Sequence, residues 1–411
     1  MSGALDGLRI VDLTRHMAGP YATALLTDYG ADVIKVESAQ RGDPSRETGT
    51  ANHAGENALY LMWNRGKRSI ALDLRRPESI EVVRRLVRDA DVFIENYRPG
   101  VADDMGLSYQ ELSALNPGLL YLSVTGFGRG PLEEWPATDP VVQAMSGVMG
   151  VTGEEGGPPV LVGVPIADYA GAMQVIEGIL LGLLARAKTG QGQRIEVSML
   201  RGLMAALTTR LATYWATGEE PIRLGGAHSA VAPYNVFPTK DGFMVAGVWG
   251  AGEAWPRFCA AIERLDLVED PRFLDNPSRV SNRAVLVPII ESVTTTRTTK
   301  EWESAFRAQH VLYSPVLSFG ELLSHQHVVD TGIVESVEHP VAGTVPQLAP
   351  TVTMSQTPGA IAGPPPLLGE HTLDVLREAG YSEEEITDLV ETKAARVYDW
   401  SAQAQFAGAK E

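Results

Sequence analysis

Apolar and polar positions along this chain follow two alternating rhythms. Leu8-Arg-Ile-Val-Asp-Leu13 is a short apolar run, which predicts a buried strand. From Tyr21 to Tyr29 small and aliphatic residues recur at helical spacing, and Gly30 is a natural stop. Asp32-Val-Ile-Lys-Val-Glu37 returns to a strand pattern and completes a β-α-β unit. The order then repeats. Ser69 to Leu74 reads as a strand, Pro77 takes a first helical position, Ile80 to Leu86 carries an apolar face, and Asp91 to Glu95 is again a strand. A short helix at Tyr109 to Leu115 precedes a strand at Leu119 to Val124. Alternation of this kind predicts an α/β fold with a mostly parallel sheet covered by helices.

Beyond a Gly-, Pro- and acid-rich loop (Gly126 to Pro140), a long run of small and aliphatic residues begins at Asp168. It continues to a strand at Arg194 to Ser198 and a helix over roughly Gly202 to Ala216. Its most apolar part, Ile176 to Ala187, is interrupted by Glu177 and Arg186 and is shorter than the roughly 20 residues a bilayer takes; it reads as a buried helix. Gly218 to Val231 has no period and reads as a linker. The texture then changes to a hairpin from Tyr234 to Val248 and helices near Glu253–Arg264, Arg279–Val293 and Thr299–Gln309. The predicted division is a large domain over 1–224, a small α+β domain over 225–330, and a final segment over 331–411.

Composition narrows the partners. The 411 residues carry a formal net charge of −17, which disfavours nucleic acid or an anionic membrane as the main partner. The single cysteine, Cys259, excludes an intrachain disulfide and suits a reducing cytoplasm; the first residues lack the basic-then-apolar order of a signal peptide. One basic stretch stands out. Trp63 to Arg98 holds nine Lys/Arg against six Asp/Glu, with Arg75 and Asn96-Tyr97-Arg98 at strand ends, where open α/β sheets bind ligands. An arginine, backbone N–H groups and an aromatic there suit a polyphosphate anion.

Several common chemistries lack their signatures. Arg15-His-Met-Ala-Gly-Pro20 follows the first strand where a dinucleotide fold would carry Gly-x-Gly-x-x-Gly. Ser146 has no nucleophile elbow, and His325 and His327 have no nearby carboxylate set, so no metal site is predicted. One acid remains. In Leu161-Val-Gly-Val-Pro-Ile-Ala-Asp168 a glycine- and proline-broken stretch ends at Asp168 and a helix begins. An acid there accepts free helix N–H groups and stays ionised, as a carboxylate nucleophile requires. The same pattern also serves a plain helix cap.

Several segments together go further: Leu5-Asp-Gly-Leu-Arg-Ile-Val-Asp-Leu13, Ala18-Gly-Pro-Tyr-Ala-Thr23, Gly30-Ala-Asp-Val-Ile-Lys-Val-Glu37, Asn64 to Asp73, Glu95-Asn-Tyr-Arg-Pro-Gly100, Val142 to Gly147 and Pro366 to Thr372. With these the chain resembles the class III CoA-transferases from about residue 5 to 390. The resemblance implies a Rossmann-like large domain formed by both chain ends, a smaller middle domain, and an interlocked homodimer. It implies Asp168 as the nucleophile, with acyl-CoA and a small carboxylic acid as substrates and coenzyme A held by Met17, Ala18, Leu72, Arg75, Asn96, Tyr97 and Arg98. The family's substrate loop corresponds to Gly225, Gly226 and His228.

This sequence also departs from the pattern of formyl-CoA:oxalate CoA-transferase. Met17 replaces a glutamine, and Ser38 and Asp104 stand where arginines contact the nucleotide, leaving Arg41 or Arg98 to compensate. Two alternatives stay open. The α-methylacyl-CoA racemase branch has a histidine base where this chain has Thr138, whose hydroxyl has no useful basicity, and His16 would have to serve instead. A non-catalytic CoA-binding module would keep the arginines and use Asp168 only as a cap.

Overall fold

The computed structural model describes residues 3–250 and 252–401 and divides the chain into two compact units. The larger consists of Met1–Val148, Val162–Leu211 and Asp330–Glu411, the smaller of Met149–Leu161 and Ala212–Val329.

The larger unit is built on seven strands. In chain order its elements include β1 (Arg9–Asp12), α1 (Ala18–Thr27), β2 (Asp32–Ser38), β3 (Arg68–Leu72), α2 (Pro77–Arg88), β4 (Val92–Glu95), α3 (Tyr109–Leu115), β5 (Leu120–Thr125), α4 (Asp139–Ser146), α5 (Ile166–Thr189), β6 (Gln193–Ser198) and α6 (Met199–Ala206). From β3 the strands run in the order β3-β2-β1-β4-β5-β6, all parallel. Successive residues of β1 explain the two-sided core. Val11 packs with Ile34, Ile70 and Phe93 against α2, whereas Ile10 packs with Val33, Ile94 and Leu122 against α1 and α5. A strand buried on both faces reads as a continuous apolar run, which is what residues 8–13 show.

The predicted helix over Gly202 to Ala216 is two helices, α6 and a second one at Thr208–Thr217 that buries none of its residues. Helix α5 also differs from its prediction. It spans 24 residues, long and apolar enough by composition to cross a membrane, and it buries only a stripe of Ala167, Gly171, Ala172, Val175, Ile179 and Gly182. Small residues in that stripe let it lie close. A Cβ on Gly171 would stand 3.1 Å from Met199 Cγ and 3.6 Å from Ala18 Cβ. Leu180, Leu181 and Leu184 on the same helix are exposed.

The smaller unit has a three-stranded antiparallel sheet of β7 (Tyr234–Pro238), β8 (Phe243–Gly247) and β9 (Leu312–Pro315), with β8 in the middle. Phe237, Met244, Phe258, Trp302 and Phe306 fill its core, and Cys259 is buried there as a free thiol. The hairpin is where the sequence predicts it; β9 was not predicted. After this unit the chain forms a hairpin of β10 (Val334–His339) and β11 (Gly343–Leu348) and ends, among the described residues, with β12 (Ala395–Arg396). That last strand lies antiparallel beside β3 and closes one edge of the large sheet.

Candidate active site

The carboxyl ends of β1 and β2 rest on a buried set of charges. Asp12 Oδ2 accepts from Lys67 Nζ at 3.1 Å and from the Thr23 hydroxyl at 2.7 Å, and Asp12 Oδ1 accepts the Thr14 N–H at 2.8 Å. Lys35 Nζ donates to Asp43 Oδ2 at 2.8 Å and to the Thr14 carbonyl at 2.9 Å. Arg46 pairs with Glu37 at 2.8 Å. Burial alone would push the acids up, but the neighbouring cations outweigh it. Asp12 and Glu37 are held below the ordinary carboxylate range, and Asp43 falls to about 2. Burial draws Lys67 down to about 8; its three acceptors, Asp12, Asn64 Oδ1 and the Pro20 carbonyl, keep it protonated at neutral pH.

These charges fix the loop between β1 and α1. Asn96 brackets Arg15, accepting its N–H at 2.9 Å and donating to its carbonyl at 2.8 Å. His16 takes a left-handed conformation with φ 66° while its N–H donates to Asp43 at 3.1 Å. The backbone N–H groups of Thr14, Arg15 and His16 are thus all matched, and α1 starts in a defined place. A Cβ on Gly19 would lie 2.4 Å from the Thr14 side chain, so only glycine permits this tight entry.

Asp168 stands in the first turn of α5, but it does not cap that helix as the sequence predicts. Pro165 occupies the N-cap position, and the N–H groups of Ala167 and Asp168 donate to Asp139 Oδ2 at 2.7 and 3.1 Å. The carboxylate of Asp168 instead accepts a hydrogen bond from the Ala18 N–H, at the start of α1. The electrostatic expectation changes with the partner. Burial, then the like charge of Asp139, raise Asp168 to about 6, with the Ala18 N–H as a partial offset. Asp168 is ionised at neutral pH in spite of its surroundings, not because of a cap.

Met17 and Ala18 are therefore beside Asp168, both buried at the start of α1. Leu72, Arg75 and Tyr97 line a cleft at the carboxyl ends of β1 to β4, together with Thr14 and Arg15. Arg75 is largely exposed and pairs with Asp73 at 2.8 Å. The Arg15 guanidinium lies 4.6 Å from the Tyr97 ring centroid. Asn96 acts on the loop backbone. Arg98 and Tyr97 line a separate cleft with Glu95, Tyr121 and Arg194. Arg41 is exposed, outside the residues lining the first cleft, and pairs with Glu47. Of the two arginines expected to compensate, neither lies beside Arg75 in that cleft; Arg15 does. Sequence reading passed over Arg15 and Asp139, although the position after a strand end and the acid in Thr138-Asp139 were the available signals.

The substrate-loop residues belong to the smaller unit. Gly225 has φ 55° and donates its N–H to the Gly153 carbonyl at 2.9 Å; the Gly226 carbonyl accepts from Val236 at 3.0 Å. The His228 ring stacks on Tyr234 at 5.3 Å between centroids.

With this geometry in view, the chain matches the model of CoA-transferase family III over residues 5–372. It is 38% identical over 375 residues to succinyl-CoA:glutarate CoA-transferase of Mus musculus, covering 91% of this chain and 86% of that one. It is 39% identical over 322 residues to acetyl-CoA:oxalate CoA-transferase of Acetobacter aceti, covering 78% and 82% of the two chains. Among solved structures, a CAIB/BAIF family protein from Brucella suis superposes with a TM-score of 0.83 at 34% identity, over 92% of this chain and 100% of the other. The protein belongs to CoA-transferase family III, and it is an enzyme of that class.

Proposed function

We propose that this enzyme moves coenzyme A from an acyl-CoA donor to a small dicarboxylic acid through covalent intermediates on Asp168. One observation carries the reading: among the described residues Asp168 is a desolvated carboxylate opposed by Asp139 and paired with no cation, whereas Asp12, Glu37 and Asp43 beneath the β1–α1 loop are each paired with one. Such a group is ionised at neutral pH and gains by bonding to carbon. In the first step an Asp168 oxygen attacks the thioester carbonyl, the C–S bond breaks, and a mixed anhydride and CoA thiolate form. The thiolate then attacks the aspartyl carbonyl, releasing the donor acid and leaving an aspartyl-CoA thioester. The acceptor carboxylate reverses both steps and regenerates Asp168.

Arg15 and Arg75 supply cations for the CoA phosphates and Tyr97 a flat surface for the base, while Met17 and Ala18 border the acyl end beside Asp168. Leu72 lines the same cleft and Asn96 serves CoA through the loop it brackets, while Arg98, in the neighbouring cleft, and the Gly225-Gly226-His228 loop are assigned to CoA and acceptor by the family resemblance alone. Support for a dicarboxylate comes from the relatives, named for succinyl-CoA and glutarate and for oxalate. Racemisation is disfavoured because Thr138 offers no base. The enzyme works as an interlocked homodimer in a reducing compartment. Exposed leucines on α5, Trp215, and a helix at Thr208–Thr217 with nothing buried are surfaces that a second copy would cover.

The test is chemical. Enzyme incubated with succinyl-CoA and then hydroxylamine should carry a hydroxamate at Asp168, read by peptide mass spectrometry. An unmodified Asp168 in enzyme that turns over overturns the proposal. The same reaction in deuterium oxide should leave the α-carbon free of deuterium, and sedimentation should give twice the 44.2 kDa chain mass.

A further inference from the structure

The first turn of α5 is capped from outside the helix, by an acid 29 positions upstream of Asp168. Asp139 is buried at the start of α4, with 7% of its surface exposed. One oxygen takes the two N–H groups of α5, and the other takes the Gln143 amide. Gln143 is buried as well, and its own oxygen accepts the Val162 N–H at 2.9 Å, which ties the segment leading into α5 to the same network. Among the described residues neither Asp139 nor Asp168 has an ion-pair partner.

We propose that Asp139 is a positioning residue of the transfer reaction that also favours acylation of Asp168, by seating the first turn of α5 and by holding a second negative charge against the nucleophile. This inference rests on the reading of Asp168 as nucleophile. The positive end of α5 would stabilise a carboxylate in its first turn and so blunt it. Asp139 takes up those donors. When an Asp168 oxygen bonds to the acyl carbon and the electron pair of the C–S bond leaves on sulfur, position 168 becomes neutral. The repulsion present before the step is then absent, so the covalent state gains relative to the free carboxylate.

Other charges do not compete. Of the elements packed on α5, α1 brings Tyr21, α4 Asp139, α6 Arg201, β5 Tyr121, and β6 Arg194 and Glu196; α5 itself carries Tyr169 and Glu177, with Arg186 and Lys188 in its last turn at the opposite end from Asp168. Among the described residues, Asp139 is the group whose charge acts on the Asp168 carboxylate.

Two variants separate a charge effect from a cap. Asp139→Asn and Asp139→Ser keep an oxygen for the helix N–H groups and remove the charge. With the acyl-CoA that labels wild-type Asp168, both should lower kcat/KM about tenfold near neutral pH and move the acid midpoint of its pH profile down by about one unit. The fraction of enzyme trapped as the Asp168 adduct at saturating donor should fall in parallel. If the midpoint and trapped fraction of both variants match wild type while only thermal stability drops, Asp139 is a plain cap and the proposal fails. A wild-type enzyme whose Asp168 is never labelled overturns the reading beneath it instead.

Discussion

Asp12, Glu37 and Asp43 are more deeply buried in the large unit than Asp168, yet the two groups of acids shift in opposite directions. Beneath the β1–α1 loop every acid has a cation within hydrogen-bond distance, and the cations outweigh the desolvation that burial imposes. Asp168 meets one backbone N–H and another carboxylate. Among these four acids burial pushes every carboxyl group up, and the partner decides whether that push is overcome. A matched acid belongs to the frame, because losing its charge would strand a buried cation. An opposed acid is ready for chemistry, since bonding removes the charge that its surroundings resist.

The sharpest test is to delete Asp168 from one region and a partner cation from the other. Asp168→Ala should lower turnover about ten-thousandfold while the protein unfolds at the same denaturant midpoint or a higher one. Turnover within tenfold of wild type would end the contrast. Lys35→Met should do the reverse, leaving Asp43 buried and unpaired at a destabilisation of about 3–5 kcal/mol by denaturant titration. A change below about 1 kcal/mol would mean that the cluster is not the frame it is taken to be.

Acidification should separate the two regions by sign. Asp168 is raised to about 6, so its ionised form disfavours the folded state above that value, and the penalty fades as pH falls toward the ordinary value of 3.8. Asp43 is lowered to about 2, so its stabilisation is complete above 3.8 and is lost as pH falls through about 2. The stability gap between wild type and Asp168→Asn should thus narrow from neutral pH down to 3.8, where the gap to Asp43→Asn should still be intact. Turnover should titrate away on the acid side near 6. The smallest effects belong to the cleft. Arg15→Ala and Arg75→Ala should raise the KM for acyl-CoA about three- to tenfold, whereas Arg41→Ala, paired to Glu47 outside the cleft lining, should stay within about twofold.

Much of the fold was readable along the chain. Six strands of the large sheet lie within a residue or two of their predicted ranges, because a strand covered on both faces leaves an apolar run that turn residues interrupt. The strands that escaped are different in kind. Ala395–Arg396 is two residues long and Leu312–Pro315 only four, so neither is long enough to carry a readable period. The break between α6 and the helix at Thr208–Thr217 escaped because the apolar spacing runs through it. At the site, Asp168 was readable as an acid opening a helix and Arg75 and Tyr97 as residues at strand ends, while Leu72 came only with the family resemblance. Arg15 carries no motif or period of its own, and its place in the cleft comes from the loop that Asn96 brackets.

The sequence by itself determined the layers, the strand periods and the acid that opens α5, since each is written in neighbouring residues. Only the tertiary structure decided what that acid feels. Asp168 meets Ala18 from 150 positions upstream and Asp139 from 29, and those two exchange the cap it was expected to make for a hydrogen bond to another helix and a like charge. Local pattern records which groups a residue carries. The sign of its electrostatic shift depends on which distant groups the fold brings within a few ångströms, and no spacing along the chain encodes that.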